Sequence, residues 1–168
     1  MTTGFHAFMC FVGIIAIGTS TVEVAAQRRA GEPDAKQGIH ASLKVGGQTY
    51  QSTEPGKCTH APVASIYQTM AELWTVQQSQ DGRSLTLSFW KPKDGSADMV
   101  TLSVWSGKAS HQVNTVKGAT AAGSGTVTLE KAGNGGTFTV DAKSKDGAAI
   151  TGTIRCEVFG RHTAEGGL

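Results

Sequence analysis

The stretch ELWTVQQSQDGRSLTLSFW, residues 72–90, alternates apolar and polar side chains on both sides of Asp81 and Gly82. Period-two alternation belongs to a strand with one buried face. An Asp-Gly pair between two such runs is the signature of a tight hairpin turn, whose central residues need positive φ. Folding the stretch about that pair sets Trp74 beside Phe89, Val76 beside Leu87 and Gln78 beside Leu85. Facing residues share the apolar side, with Gln78 the polar intruder, as a hairpin with one buried face requires.

The same test succeeds outward along the chain. MVTLSVW, residues 99–105, puts Val100, Leu102 and Val104 on one side, and HQVNTV across the SGKA turn brings Val113 opposite Leu102 and His111 opposite Val104. GTVTLE and TFTVDA flank KAGNGG, pairing Leu129 with Phe138 and Val127 with Val140. AAITGTIRC follows with Ile150, Gly152, Ile154 and Cys156 on the inward parity, and GIHASLKV with QTYQS, around Gly46 and Gly47, supplies Ile39, Leu43 and Tyr50. Almost nothing has helical spacing. The expected fold is all-β, an antiparallel meander of eight or nine strands that must protect its edges by forming a sandwich or an up-and-down barrel.

The ends of the chain read differently. Residues 5–18 form an apolar run and small residues follow at Val24 and Ala26, the layout of a signal peptide cut after Ala26. That run of about 14 residues is short of the roughly 20 that a spanning helix needs, so no transmembrane segment is expected after cleavage. Cys10 lies inside the apolar run behind bulky Phe8 and Met9, which is no lipobox. The expected organisation is a signal peptide over residues 1–26, a polar leader over 27–38, a β-domain over 39–160 and a flexible tail over 161–168. The expected location is secreted or periplasmic.

Cleavage would remove one acid, Glu23, and no Lys or Arg, taking the net charge from +2 to +3. The basic residues are scattered apart from Arg28 and Arg29, so nothing argues for nucleic acid. It would also leave two cysteines, Cys58 and Cys156, and an even pair in an oxidising compartment reads as a disulfide. The competing reading is a metal or redox pair; there is no CxxC, and GKCTHAP offers only His60 beside Cys58.

Catalytic chemistry finds little to work with. There is no GxSxG, and GSG at residues 123–125 reads as a turn. Glu72, Asp94, Asp98, Asp141 and Asp146 sit mostly in turns or on outward parity, where carboxylates stay solvated. His40 lies outward and His162 in the tail, which leaves His60 and His111 as the first histidines to test for a metal, with no metal site or cofactor expected. Trp74 belongs to the core. Trp90 and Trp105 fall on the opposite face among Thr and Ser, where an indole can stack on a sugar or pack on a partner.

The segments ELWTV, WKPKDGS, NTVKG, GSGTV, GGTFTVDA and ITGTIRC, spread over most of residues 58–159, resemble a kind of small exported bacterial β-domain protein with no established activity. In outline, an exported β-domain with a cysteine near each end is also similar to the small mycobacterial lipoprotein antigens. Neither resemblance implies a catalytic residue. The sequence therefore points to an exported, non-catalytic β-domain with a binding or cell-envelope role, its partner a protein or glycan; the alternative is a small-molecule or carbohydrate binder using Trp90 or Trp105.

Overall fold

The computed structural model describes residues 36–107 and 109–162. The signal peptide, Cys10, the first part of the leader and the last six residues of the tail lie outside them. Among the described residues there is no helix. Strands run β1 (Gln37–Val45), β2 (Gln48–Ser52), β3 (Pro55–Ile66), β4 (Thr69–Gln80), β5 (Arg83–Pro92), β6 (Met99–Ser106), β7 (Ala109–Asn114), β8 (Ser124–Ala132), β9 (Gly135–Lys143), β10 (Ala149–Cys156) and β11 (Gly160–Arg161). Strand β1 begins two residues inside the expected leader, because Gln37 and Gly38 pair with Gly56 and Pro55.

The order around the sheet is β7-β6-β5-β4-β3-β1-β10-β9-β8, nine strands nearly closed into a barrel, with β2 on β1 and β11 on β3. All neighbours on that path are antiparallel. A ring of alternating directions closes only with an even number of strands. With nine, one adjacent pair must run the same way, and that pair is β7 and β8. They form no ladder. The seam is held by an isolated bridge between Asn114 and Ala122 and by the Lys145 amide donating to the Gln112 carbonyl at 3.0 Å.

The expected registers are those observed: Trp74 faces Phe89, Leu102 faces Val113, Val104 faces His111 and Leu129 faces Phe138. Their inward side chains fill the barrel, with Ile39, Leu85, Phe138, Ile150 and Ile154 fully buried. Buried Gln78 is half satisfied: its Nε2 donates to the Glu54 carbonyl at 2.6 Å, where the chain bends from β2 into β3, while its Oε1 has no partner among the described residues. The Cys58–Cys156 disulfide, Cα to Cα 6.1 Å, lies in the same core and joins β3 to β10.

The strand that alternation did not show is β3. Its twelve residues carry Pro55 and Pro62, and a proline inside a run argues against a strand because it cannot donate to the ladder. Pro62 is accommodated where the register with β4 shifts between Ala61 and Ala64, a bulge of the kind that spares proline a missing bond. Cys58 and His60 are thus strand residues.

Candidate functional site

The best-furnished cavity, about 380 Å³, opens at the end of the barrel where β3, β4, the β8–β9 turn and the chain after Cys156 meet. Its floor is Trp74, on the inward face of β4 and 2 % exposed. His60 is the direct cross-strand partner of Trp74 and stacks on it, with ring centroids 4.5 Å apart and planes within 10°. The aromatic contacts continue from Trp74 to Phe89, from Phe89 to Phe138 and from Phe138 to Phe159, each pair with centroids within 6.1 Å. That arc starts and ends in the cavity, since His60 and Phe159 both line it.

The polar groups sit above this floor. His60 Nε2 lies 3.2 Å from Glu72 Oε2, and the same oxygen is 3.9 Å from Lys131 Nζ, which stands 4.9 Å over the Trp74 ring. Lys131 reaches there because it shares the inward parity of β8 with Val127 and Leu129. Trp74 Nε1 is buried and has no hydrogen-bond partner among the described residues. An indole N–H is a donor only, and leaving one buried and unpaired costs about 1–3 kcal/mol.

The remaining wall comes from the chain end. Gly135 makes room for it: a Cβ there would stand 2.3 Å from the carbonyl oxygens of Cys156 and Glu157. The Phe159 amide donates to the Asn134 carbonyl at 2.8 Å, and Gly160–Arg161 pair in parallel with Thr59 and His60. The expected flexible tail therefore needs correction at its start. Arg161 is in a strand, and His162 is anchored by its amide on the His60 carbonyl and by Nδ1 3.1 Å from Thr59 Oγ1, itself 2.6 Å from Thr75 Oγ1. Arg161 lines the cavity and has no ion-pair partner among the described residues.

Glu72 also departs from expectation. It lies on the inward parity of β4 and is held between His60 and Lys131 rather than solvated alone. His111 Nδ1 lies 3.0 Å from Asp146 Oδ2. The Ser144 hydroxyl donates to the other oxygen of the same carboxylate. The order is hydroxyl, carboxylate, imidazole, so the histidine does not touch the hydroxyl that a nucleophilic mechanism would need it to deprotonate. Neither His60 nor His111 is joined by further His, Cys, Asp or Glu into a group of three among the described residues.

The two outer tryptophans stand apart. Trp90 faces Met99 and is half-buried, while Trp105 faces Ser84 and Ser110 near the other end of the strands and is 41 % exposed. They form no common platform, and neither lines the 380 Å³ cavity. Alternation separated the two faces correctly but could not find this cavity, because its residues come from β3, β4, a turn and the chain end, brought together only by closure of the sheet. No protein-family model, curated protein or solved structure matches the chain.

Proposed function

We propose that the chain is an exported, non-catalytic binding domain that takes a small ligand at this open end of its barrel. The observation that carries the reading is the unspent donor capacity at the cavity, an Arg161 with no ion-pair partner among the described residues, beside an aromatic floor of Trp74 and Phe159. Elsewhere the inward face is filled with interdigitating apolar side chains, as a packed interior should be. A barrel mouth with an apolar lining and a few convergent polar groups is a common place for a ligand. The disulfide is compatible with the oxidising compartment that export implies.

Amide chemical-shift mapping tests the proposal. A mixed panel of small acids, amines and sugars should shift the amides of His60, Trp74, residues 131–135 and residues 158–161. Shifts confined to the surroundings of Trp90 or Trp105 would move the site to the outer face, and no shift with any class would remove the binding reading.

A further inference from the structure

We propose that the ligand of this cavity is an organic anion, a carboxylate carried on an apolar body. The inference rests on the cavity being the binding site and adds the chemical class. Lys131, Arg161 and His60 line it, and the one carboxylate among their ion pairs is Glu72, already shared between His60 and Lys131. Even with His60 neutral, two fixed cations stand against one anion, so the site carries an excess positive charge at neutral pH. A concave site of one sign concentrates its field on an entering counter-charge.

The two cations are not equally free. Lys131 is held over the Trp74 ring and near Glu72, whereas Arg161 has no carboxylate of its own among the described residues. A guanidinium presents a planar fork of donors that matches a carboxylate in two parallel bonds. Its backbone is fixed by pairing with His60, so the fork swings from an anchored strand rather than from a loose end. The rest of the lining carries no charge: Pro62, Val158 and Phe159 offer apolar surface beside Asn134 and the glycine backbone, which suits a hydrophobic body behind the acid group and disfavours a bare inorganic ion.

The test is calorimetric titration of the folded chain with phenylacetate, 2-phenylethanol, 2-phenylethylamine and inorganic phosphate, with amide shifts locating each. Phenylacetate should bind with shifts at Lys131, Asn134 and Arg161, and weaken as salt rises. The alcohol, the amine and phosphate should each bind at least about tenfold more weakly, the size of effect expected when a charge-assisted pair or the apolar contact is missing. Arg161→Gln should weaken phenylacetate by about tenfold at unchanged melting temperature, while Arg161→Lys should recover part of the loss. Alcohol or amine binding as well as phenylacetate at the same amides would overturn the anion and leave the site standing. Phosphate binding equally well would overturn the apolar body, and no shift with any probe would remove the site itself.

Discussion

At Gly152 the barrel leaves no room for a side chain. A Cβ there would lie 2.1 Å from the Ser42 carbonyl oxygen, and the residue holds φ at +138°, where L side chains are rarely found. Both obstacles are backbone, so neither can swing aside. Gly152→Ala should therefore destabilise by at least about 3 kcal/mol, seen as a lower urea midpoint; a loss under about 1 kcal/mol would contradict the close approach of β10 to β1. Asp146 shows how a surface residue gains a defined titration. The Ser144 hydroxyl, more than any other group, holds its carboxyl below the usual range; burial opposes this, and its own backbone amide and His111 assist. A carboxyl lowered on folding adds stability above its unfolded-state pKa and loses it as the pH falls through the lowered folded value. Ser144→Ala should move the Asp146 midpoint upward, checked by the carboxyl carbon shift against pH; an unmoved midpoint would show that the hydroxyl is not the main cause. Parity in the sequence placed Trp74, Gln78 and His111 correctly. Parity also sets Glu72 on the side of Trp74, against its assignment to the solvated carboxylates; what alternation could not show is its partner His60, which comes from β3.

Among the elements, the β3–β4 hairpin is built against local preference. Its two central residues, Tyr67 and Gln68, hold φ at 45° and 67°, and Ile66 pairs with Thr69, so this is a two-residue turn with positive φ at both positions. Such turns favour Asn, Asp and Gly, whereas the β4–β5 turn has Asp81 and Gly82 in the same roles and announces itself in the sequence. The difference explains why one hairpin was legible and the other was not. Tyr67 has a packing reason to stay, since a Cβ on Gly118 would come within 3.2 Å of its ring. Gln68 has none in the contacts observed. Gln68→Gly should relieve the strained conformation and raise stability by about 0.5–1 kcal/mol after the entropy of the added glycine is set against it. A thermal melt checks this; a lower melting temperature would mean that Gln68 makes a contribution beyond its backbone. The short β11 was equally illegible, because a two-residue parallel pairing leaves no periodicity to read.

For the whole molecule, the sequence left sandwich and barrel open because the deciding contact is between its first and last long strands. The β1–β10 ladder joins Ile39 to Cys156 and Val45 to Ile150, and nothing local in either strand announces the other. That closure fixes the geometry of the cystine. Cys156 ends β10 beside β1, Cys58 sits on β3 on the far side of β1, and their bond spans the place where β3 leaves β1 to begin the long β3–β4 hairpin. It therefore ties the two halves of the sheet, β3 to β7 and β8 to β10, at the end opposite the turns of β1–β2 and β9–β10. The halves are otherwise joined through β1, through the short pairing of β11 with β3 and through the thin seam of β7 and β8. Cross-linking residues 98 positions apart removes roughly 4–5 kcal/mol of unfolded-chain entropy in the loop-closure model, a large share of what a domain this size has. Cys58→Ser and Cys156→Ser should each lower stability by several kcal/mol, and each should match the double variant, since one substitution already opens the loop. Protein beginning at Gln27, unfolded without reductant, should titrate no free thiol. Two free thiols per chain, with single and double variants melting alongside the parent, would mean that the cysteines stay reduced and that the halves are held without a cross-link, by β1, β11 and the seam.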